Sequence, residues 1–584
     1  NVRSAAGPWL EINGFFDYNP FITMIPATER LSAMANYNRK INESLRLLTE
    51  FSYVSVETDS QAAPTPLFGD MEDVLVKADN PFNDFGEDVF TRWRMLEAGP
   101  RKTHLETDSY RLLVGLEGTL GEWDWNGAAI YSRSKSVDKG ENLINLDALI
   151  EGVEAGEINP FGTTPNDVDS LKATTDRTAI STLKSVDFNI TSDIYELAAG
   201  PMALALGAEY RIEALDDQPD ALSEAGRIIG SGGTSSKGDR NLKALYAELS
   251  VPILDTLEAQ LAMRHERYSD FGNTTNPKIA LRYQPFDWLM VRGSWGTGFR
   301  APSLAEIHLG ESVAFPFLED TKRCAVTGDD ADCGGSQYKT VFSGNPDLQP
   351  EESDNLYLGV VVEPLEGFTI GVDYWYYKHT DRIDSDTQYL LDHEDAFPGK
   401  VVRADPAFPG DPGEILRIDD TFLNLTEQET DGFDFDIQYN WSTDSWGDFK
   451  VRGVGTYVRS FKRRAAPGEP LEELAGTYNR PRFRGNLSME WNRNDWGAFA
   501  RVSYIGSYDD LYTDHLDRVV DVDAMTTVDA QVSYTGFDSL TLRLGVDNLF
   551  DEEPPFANGE TEGYDIAIHD PTGRFIYGRV KWAF

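Results

Sequence analysis

The side chains best suited to covalent chemistry are the chain's two cysteines, Cys324 and Cys333, which bracket C-A-V-T-G-D-D-A-D-C. A zinc site needs further ligands close by, and none stand near them. A disulfide closing a short, turn-rich loop is the reading that fits, and it places the loop in an oxidising compartment. Closing such a loop is worth about 2–3 kcal/mol in the chain-entropy model. Seven histidines (His104, His265, His308, His379, His393, His515 and His569) are scattered without metal-ligand spacing. The chain contains no phosphate-cradling P-loop, G-x-S-x-G, H-E-x-x-H or dinucleotide fingerprint, so the sequence reads as no enzyme, with no cofactor and no metal site. Gly230–Gly233, G-S-G-G, reads as the flexible tip of a long loop.

What positions these residues is a β-rich chain. The 584 residues include 25 Tyr, 31 Phe, 12 Trp and 50 Gly, a mixture that suits strands and turns. The formal net charge of -46 repels nucleic acid, which excludes DNA or RNA as a partner. Mean hydropathy is -0.41, and no run of about 18 apolar residues exists, so helical membrane spans are excluded.

The main signal is period-two alternation. Leu540, Leu542, Leu544 and Val546 share one face, while Thr541, Arg543, Gly545 and Asp547 share the other. Met202–Glu213 and Phe433–Trp441 alternate in the same way, with charged residues on the polar face. The segments approach the length of a tilted membrane strand, and charged inner faces suit a wet lumen. Connections alternate between short turns (Gly121-Glu122, Gly200-Pro201, Leu254-Asp255, Phe286-Asp287, Glu366-Gly367) and long loops (about 59–106, 137–180, 216–239, 300–351 and 381–414). That asymmetry is the pattern of a large antiparallel transmembrane β-barrel with short periplasmic turns. About 19 strands can be counted between residues 29 and 584, with a possible twentieth around Leu10–Tyr18. Residues 1–28 otherwise read as an extracellular loop or partial strand. A helical turn is expected in Leu143–Ala155. The first strand, near Leu31–Arg39, runs the same way as the last, so these residues alone are not expected to close an antiparallel barrel.

Four segments resemble the TonB-dependent receptor family, in the family's order. Trp295–Ile307, W-G-T-G-F-R-A-P-S-L-A-E-I, is similar to its G-F-R-A-P-S-L-x-E segment, through Gly298, Phe299, Arg300, Ala301 and Pro302. Gly344–Tyr357 contains Asn345-Pro346 and is similar to N-P-x-L-x-P-E-x-S; Gly545–Pro554 contains Asn548 and is similar to V-x-N-L-F-D-x-x-Y. Gly573–Phe584 resembles the family's last strand, ending on Phe584. The resemblance implies an outer-membrane barrel of 22 strands filled by an N-terminal plug. Neither the plug nor the energy-coupling box is matched here, so the plug and the first strands are expected to lie outside this sequence. It further implies active uptake of a scarce, bulky nutrient, driven by a TonB-ExbB-ExbD complex acting through the plug. Outer-membrane lipid and lipopolysaccharide are the implied surroundings, and the implied ligand is a small molecule.

The motifs themselves read as architecture. Candidates for ligand contact lie elsewhere. In Tyr374–Tyr377, Tyr374 and Tyr376 share the face of Ile370 and Val372 and read as an interfacial girdle. Trp375 and Tyr377 then face the lumen near its outer rim, where they can stack on a sugar ring or an aromatic chelator. His308 lies between two family segments, where haem receptors of this family carry a ligand. Ferric siderophores and carbohydrate-type ligands are equally compatible with the sequence. The alternatives are a haem receptor, a passive porin-like channel, and a soluble β-rich binding protein.

Overall fold

A computed structural model describes residues 2–4, 9–11, 16–70, 72–162, 166–230, 233–513, 518–558 and 562–583. Nineteen long strands follow one another up and down. They are β1 (Ala27–Asn42), β2 (Leu45–Ala62), β3 (Arg101–Leu120), β4 (Trp123–Ile144), β5 (Lys172–Leu197), β6 (Gly200–Pro219), β7 (Ser236–Leu254), β8 (Leu257–Tyr268), β9 (Asn273–Phe286) and β10 (Leu289–Arg300). They continue as β11 (Glu351–Leu365), β12 (Phe368–Asp384), β13 (Leu423–Thr443), β14 (Gly447–Arg464), β15 (Phe483–Arg493), β16 (Trp496–Ile505), β17 (Met525–Phe537), β18 (Leu540–Asp547) and β19 (Phe575–Trp582). Each pairs antiparallel with its sequence neighbours, and the sheet rolls into a barrel. Among the described residues the twentieth member of the sheet is the two-residue strand Glu472–Glu473, laid against the outer end of β14; of the segment Leu10–Tyr18, residues 12–15 lie outside the described residues. Among the described residues the end strands β1 and β19 are each registered on one side only, and all 16 residues of β1 are exposed.

Alternation sets the two faces, as a period-two pattern must. Leu542 lies opposite Tyr534 and Val580, and Leu544 opposite Val532. Val580, Leu544 and Val532 are exposed, as lipid-facing residues are when no lipid is present. Arg543 on the other face lies opposite Ser533 and Arg579. Aromatic pairs gather at the short-turn end, including Trp441 with Phe449 (5.0 Å) and Phe368 with Tyr439 (5.7 Å). Tyr374 with Phe433 (5.4 Å) lies toward the long-loop end, giving two girdles.

Several boundaries differ from the sequence reading. Gly200-Pro201 is not the turn: Leu197 pairs with Gly200 and Glu196 with Pro201, so the reversal is at Ala198-Ala199. The alternation of β18 extends to Phe550, yet the strand ends at Asp547, because Asn548 adopts φ 48° and redirects the chain. The loops expected at about 59–106 and 137–180 are shorter, since β2–β5 continue pairing beyond the apolar band. Lys139, for example, still pairs with Asp176, because backbone ladders do not require apolar side chains.

The loops at the open end fold into three assemblies. Val2–Ser4 and Trp9–Glu11 do not join the barrel; they form a small sheet with Val89–Arg94 of the β2–β3 loop. Beneath it, Val76, Val89, Met95, Leu149 and Ile229 are buried together. The expected helix is Leu146–Glu154, capped by Asn145, whose side chain accepts from the Ala148 N–H at 3.1 Å. It turns Leu146, Leu149 and Val153 into this core. The β10–β11 and β12–β13 loops build a second assembly, a sheet of four short strands over Leu318, Leu390, Leu391, Val401 and Ile418. The third gathers Tyr478, Tyr508, Val522 and Ala557 from the last three loops.

Candidate functional site

The motif residues sit where β10 leaves the barrel, and they tie loops to the wall. Ser303 and Glu306 form a capping box on the helix Leu304–His308: the Ser303 Oγ accepts from the Glu306 N–H at 3.1 Å, and Glu306 Oε2 accepts from the Ser303 N–H at 2.6 Å. Arg300 grips the same Glu306 with both terminal nitrogens (3.0 and 3.1 Å) and reaches Glu351 at 2.7 Å. Glu351, buried, also accepts from the Ile383 N–H at 2.9 Å, so one guanidinium joins β10, β11 and the end of β12. Phe299 lies edge-on to Tyr268 (5.9 Å), with Ala301 beside it. Pro302 accepts from Arg240 through its carbonyl. A Cβ at Gly298 would come within 2.9 Å of the Ser353 Oγ.

Asn345 is a splice between loops. Its side-chain amide donates to the Phe422 carbonyl at 2.8 Å and its backbone N–H to Glu306, while the exposed Pro346 follows it. Asn548 closes the bend after β18, exchanging hydrogen bonds with the backbone of Glu552 (2.8 and 2.9 Å) while its own N–H donates to Asp529. Phe584 lies outside the described residues. Cys324 and Cys333 are bonded to each other, Cα to Cα 4.9 Å, in the second loop assembly.

That assembly is held by charge that the sequence reading missed. Arg403, 8% exposed, lies 2.7 Å from Asp320 and 2.9 Å from Glu394. Burial opposes the charge on Arg403, but these two carboxylates outweigh it and keep its pKa raised. Asp411 accepts from the N–H groups of Ala407 and Gly413, which with Arg323 hold its carboxyl below the usual range. In the third assembly the Tyr508 hydroxyl donates to Asp565 at 2.9 Å and stands 3.1 Å from His569 Nε2. Burial depresses the His569 pKa, and burial together with the bond to Asp565 raises that of Tyr508. Partners such as Asp320 and Arg403 are 83 residues apart and carry no sequence signal.

The candidate ligand residues do not form one cluster. Trp375 and Tyr377 share the inner face of β12, 5.9 Å apart. Trp375 is registered between Tyr357 and Gly432, and a Cβ at Gly432 would sit 2.5 Å from its ring, so the glycine makes room for the indole. One step deeper, the Arg292 guanidinium lies 5.2 Å over Tyr357 and 2.9 Å from Asp373. The result is an aromatic and cationic strip on the inner wall below the rim. His308 lies apart from it, exposed at the end of its helix, its ring against Gly238 of β7. The described residues hold no group of three or more His, Cys, Asp or Glu arranged for a metal ion.

An inward strip of this kind, in a barrel with folded loops at one end, is the geometry of a receptor wall. The TonB dependent receptor-like β-barrel family matches residues 33–549. The chain belongs to that family. It crosses the outer membrane with strands, and its family is one of receptors and transporters rather than enzymes. A probable TonB-dependent siderophore receptor, PirA of Acinetobacter baumannii, is 20% identical over 480 residues, covering 80% of this chain and 57% of the relative. The vitamin B12 transporter BtuB of Vibrio cholerae is 22% identical over 322 residues, 55% of this chain and 40% of its own length. The chain thus spans about half the length of the curated relatives it matches. Among solved structures, the siderophore receptor PirA from A. baumannii superposes with a TM-score of 0.60 at 16% identity, over 95% of this chain and 71% of that one. The ferric enterobactin receptor PfeA of Pseudomonas aeruginosa gives 0.56 at 16%, over 95% and 80%.

Proposed function

We propose that this chain is the barrel of an energy-coupled importer that carries a ferric siderophore across the outer membrane. The observation that carries the reading is the family match over the barrel together with relatives named as siderophore receptors. These relatives favour an iron chelate over a carbohydrate-type ligand, and the family favours active import over a porin-like channel. The inner strip supports it chemically: Trp375 and Tyr377 offer ring faces to an aromatic chelator, and Arg292 lies over Tyr357, which is registered opposite Trp375. On this reading a plug fills the lumen, a TonB-ExbB-ExbD complex pulls on it, and the loop assemblies receive the ligand. The haem alternative at His308 is not favoured by these relatives, which are named for siderophores and vitamin B12.

The test uses the protein at its natural length in its own cell. Deletion of its gene should abolish growth on one class of ferric chelate, supplied as sole iron source, and the defect should require an intact proton gradient. Trp375→Ala with Tyr377→Ala should weaken binding of that ferric chelate by about 5- to 100-fold, as loss of two stacking contacts predicts. A steady open conductance of the purified protein, or a growth defect confined to sugars or to cobalamin, overturns the siderophore reading.

A further inference from the structure

Beneath Trp375 the inner wall carries three neighbouring carboxylates, Asp373 of β12 and Asp434 and Asp436 of β13. Asp373 and Asp434 stand in direct cross-strand register, where like charges repel. Arginines neutralise two of the three. Arg292 donates to both oxygens of Asp373 (3.0 and 2.9 Å), reaching it across Gly359, where a Cβ would strike the carboxylate. Arg452 holds Asp436 through two hydrogen bonds (3.0 and 2.7 Å). Asp434 is the third, and its register neighbours are Asp373 and Thr456. The Thr456 hydroxyl donates to its Oδ1 at 2.6 Å, and its Oδ2 has no partner among the described residues. The next inward cation along that row, Arg484 of β15, stands beyond Thr456 and forms no ion pair with Asp434 among the described residues.

The groups above this carboxylate are aromatic. Asp434 follows Gly432 by two residues on the same face, and the Trp375 indole lies across Gly432. Tyr377 is 5.9 Å from Trp375 toward the rim, and it is exposed. Asp434 and Trp375 are half-buried, so both present surface to the lumen. A carboxylate without a cation, set below ring faces, attracts a positive group by its charge and through the ring quadrupole. The chain as a whole acts in the same direction. With 98 acidic and 52 basic residues, its field repels a polyanion and draws in a cation.

We infer that Asp434, with Trp375 above it, receives a protonated amine of the cargo. Given the siderophore reading above, on which this rests, the cargo is a ferric chelate with a cationic arm rather than a polyanionic one.

The experiment titrates the natural-length protein, purified in detergent, with three ferric chelates and follows quenching of its tryptophan fluorescence. The chelates are a linear trihydroxamate ending in a free amine, the same molecule acetylated on that amine, and a trianionic tris-catecholate. The amine-bearing chelate should bind tightest and the tris-catecholate weakest. Acetylation should weaken binding about 10- to 100-fold, as loss of one hydrogen bond between charged groups predicts. In Asp434→Asn that penalty should shrink to about 2- to 5-fold, the share left to the ring faces. The ratio of the two affinities is taken within each variant, so a general loss of fold cancels. Equal affinity of the wild type for the amine and its acetyl form, or tighter binding of the tris-catecholate, overturns the assignment. An unchanged acetylation penalty in Asp434→Asn also overturns it, and would mean that Asp434 meets a cation of the protein itself. Binding of none of the three overturns the siderophore reading as well.

Discussion

Leu542→Arg tests the assignment of faces on which the whole barrel rests. Leu542 is the third residue of the eight-residue β18, flanked by Tyr534 on β17 and Val580 on β19, all on the outward face. A guanidinium there has lipid on one side and no carboxylate across either register. Arginine on the lipid face at the bilayer midplane costs about 2–4 kcal/mol, falling toward the interfaces. Folding equilibrium should therefore fall by a factor of about 30 to 1000. The neighbouring residue is the control. Arg543 faces the lumen opposite Arg579, so Arg543→Leu removes a like-charge neighbour from water-facing wall and should change stability by less than about 1 kcal/mol. The assay is urea-dependent refolding into phosphatidylcholine vesicles, followed by tryptophan fluorescence for the wild type and both variants. A large loss for Arg543→Leu with a small one for Leu542→Arg would mean the register is displaced by one residue, which reverses every face on the strand. Equal, small losses for both would remove the lipid boundary from this part of the wall.

Two further outcomes follow from the loop assemblies. Asp320→Ala should leave Arg403 buried with Glu394 alone and destabilise the second assembly by about 3 kcal/mol, the lower end of the cost of breaking a buried pair; hydrogen exchange should rise in 312–343 and 401–421 while β10 to β13 stay protected, and unchanged protection refutes the role given to the pair. His569 has a folded-state pKa below its unfolded value because it is buried. Its contribution to the third assembly is therefore complete above the unfolded pKa of about 6.5 and is lost as pH falls through the lower folded value. Exchange in 465–482 and 508–522 should accelerate on acidification, and His569→Gln should flatten that dependence; an equally steep dependence in the variant sinks the argument.

Much of the barrel is legible in the residues because period two is a property of the strand itself. Wherever one face meets lipid and the other water, the sequence must alternate, and Leu540–Asp547 or Phe433–Trp441 show it without any knowledge of neighbours. The turn at Glu366-Gly367 is equally readable, since Gly367 takes φ 76°. The misplaced turn at Gly200-Pro201 shows the limit. Turn-forming residues also fit at a strand's first positions, and the register of β5 with β6 chooses between them.

The inner strip was half visible. Alternation alone places Trp375 and Tyr377 on the inner face, but that Gly432 opens space for the indole and that Arg292 lies over Tyr357 depends on β10, β11 and β13 coming side by side.

The sequence by itself determined that this chain is a lipid-facing antiparallel barrel of a known family, because alternation and local motifs are encoded within a few residues of each other. Only the tertiary structure decided what lies at its rim: which loops fold together, that Arg300 joins three strands, and that Asp320 meets Arg403 across 83 residues. Those outcomes depend on the stagger between strands and on contacts between distant loops, and a charged side chain's partner leaves no trace in the residues that surround it.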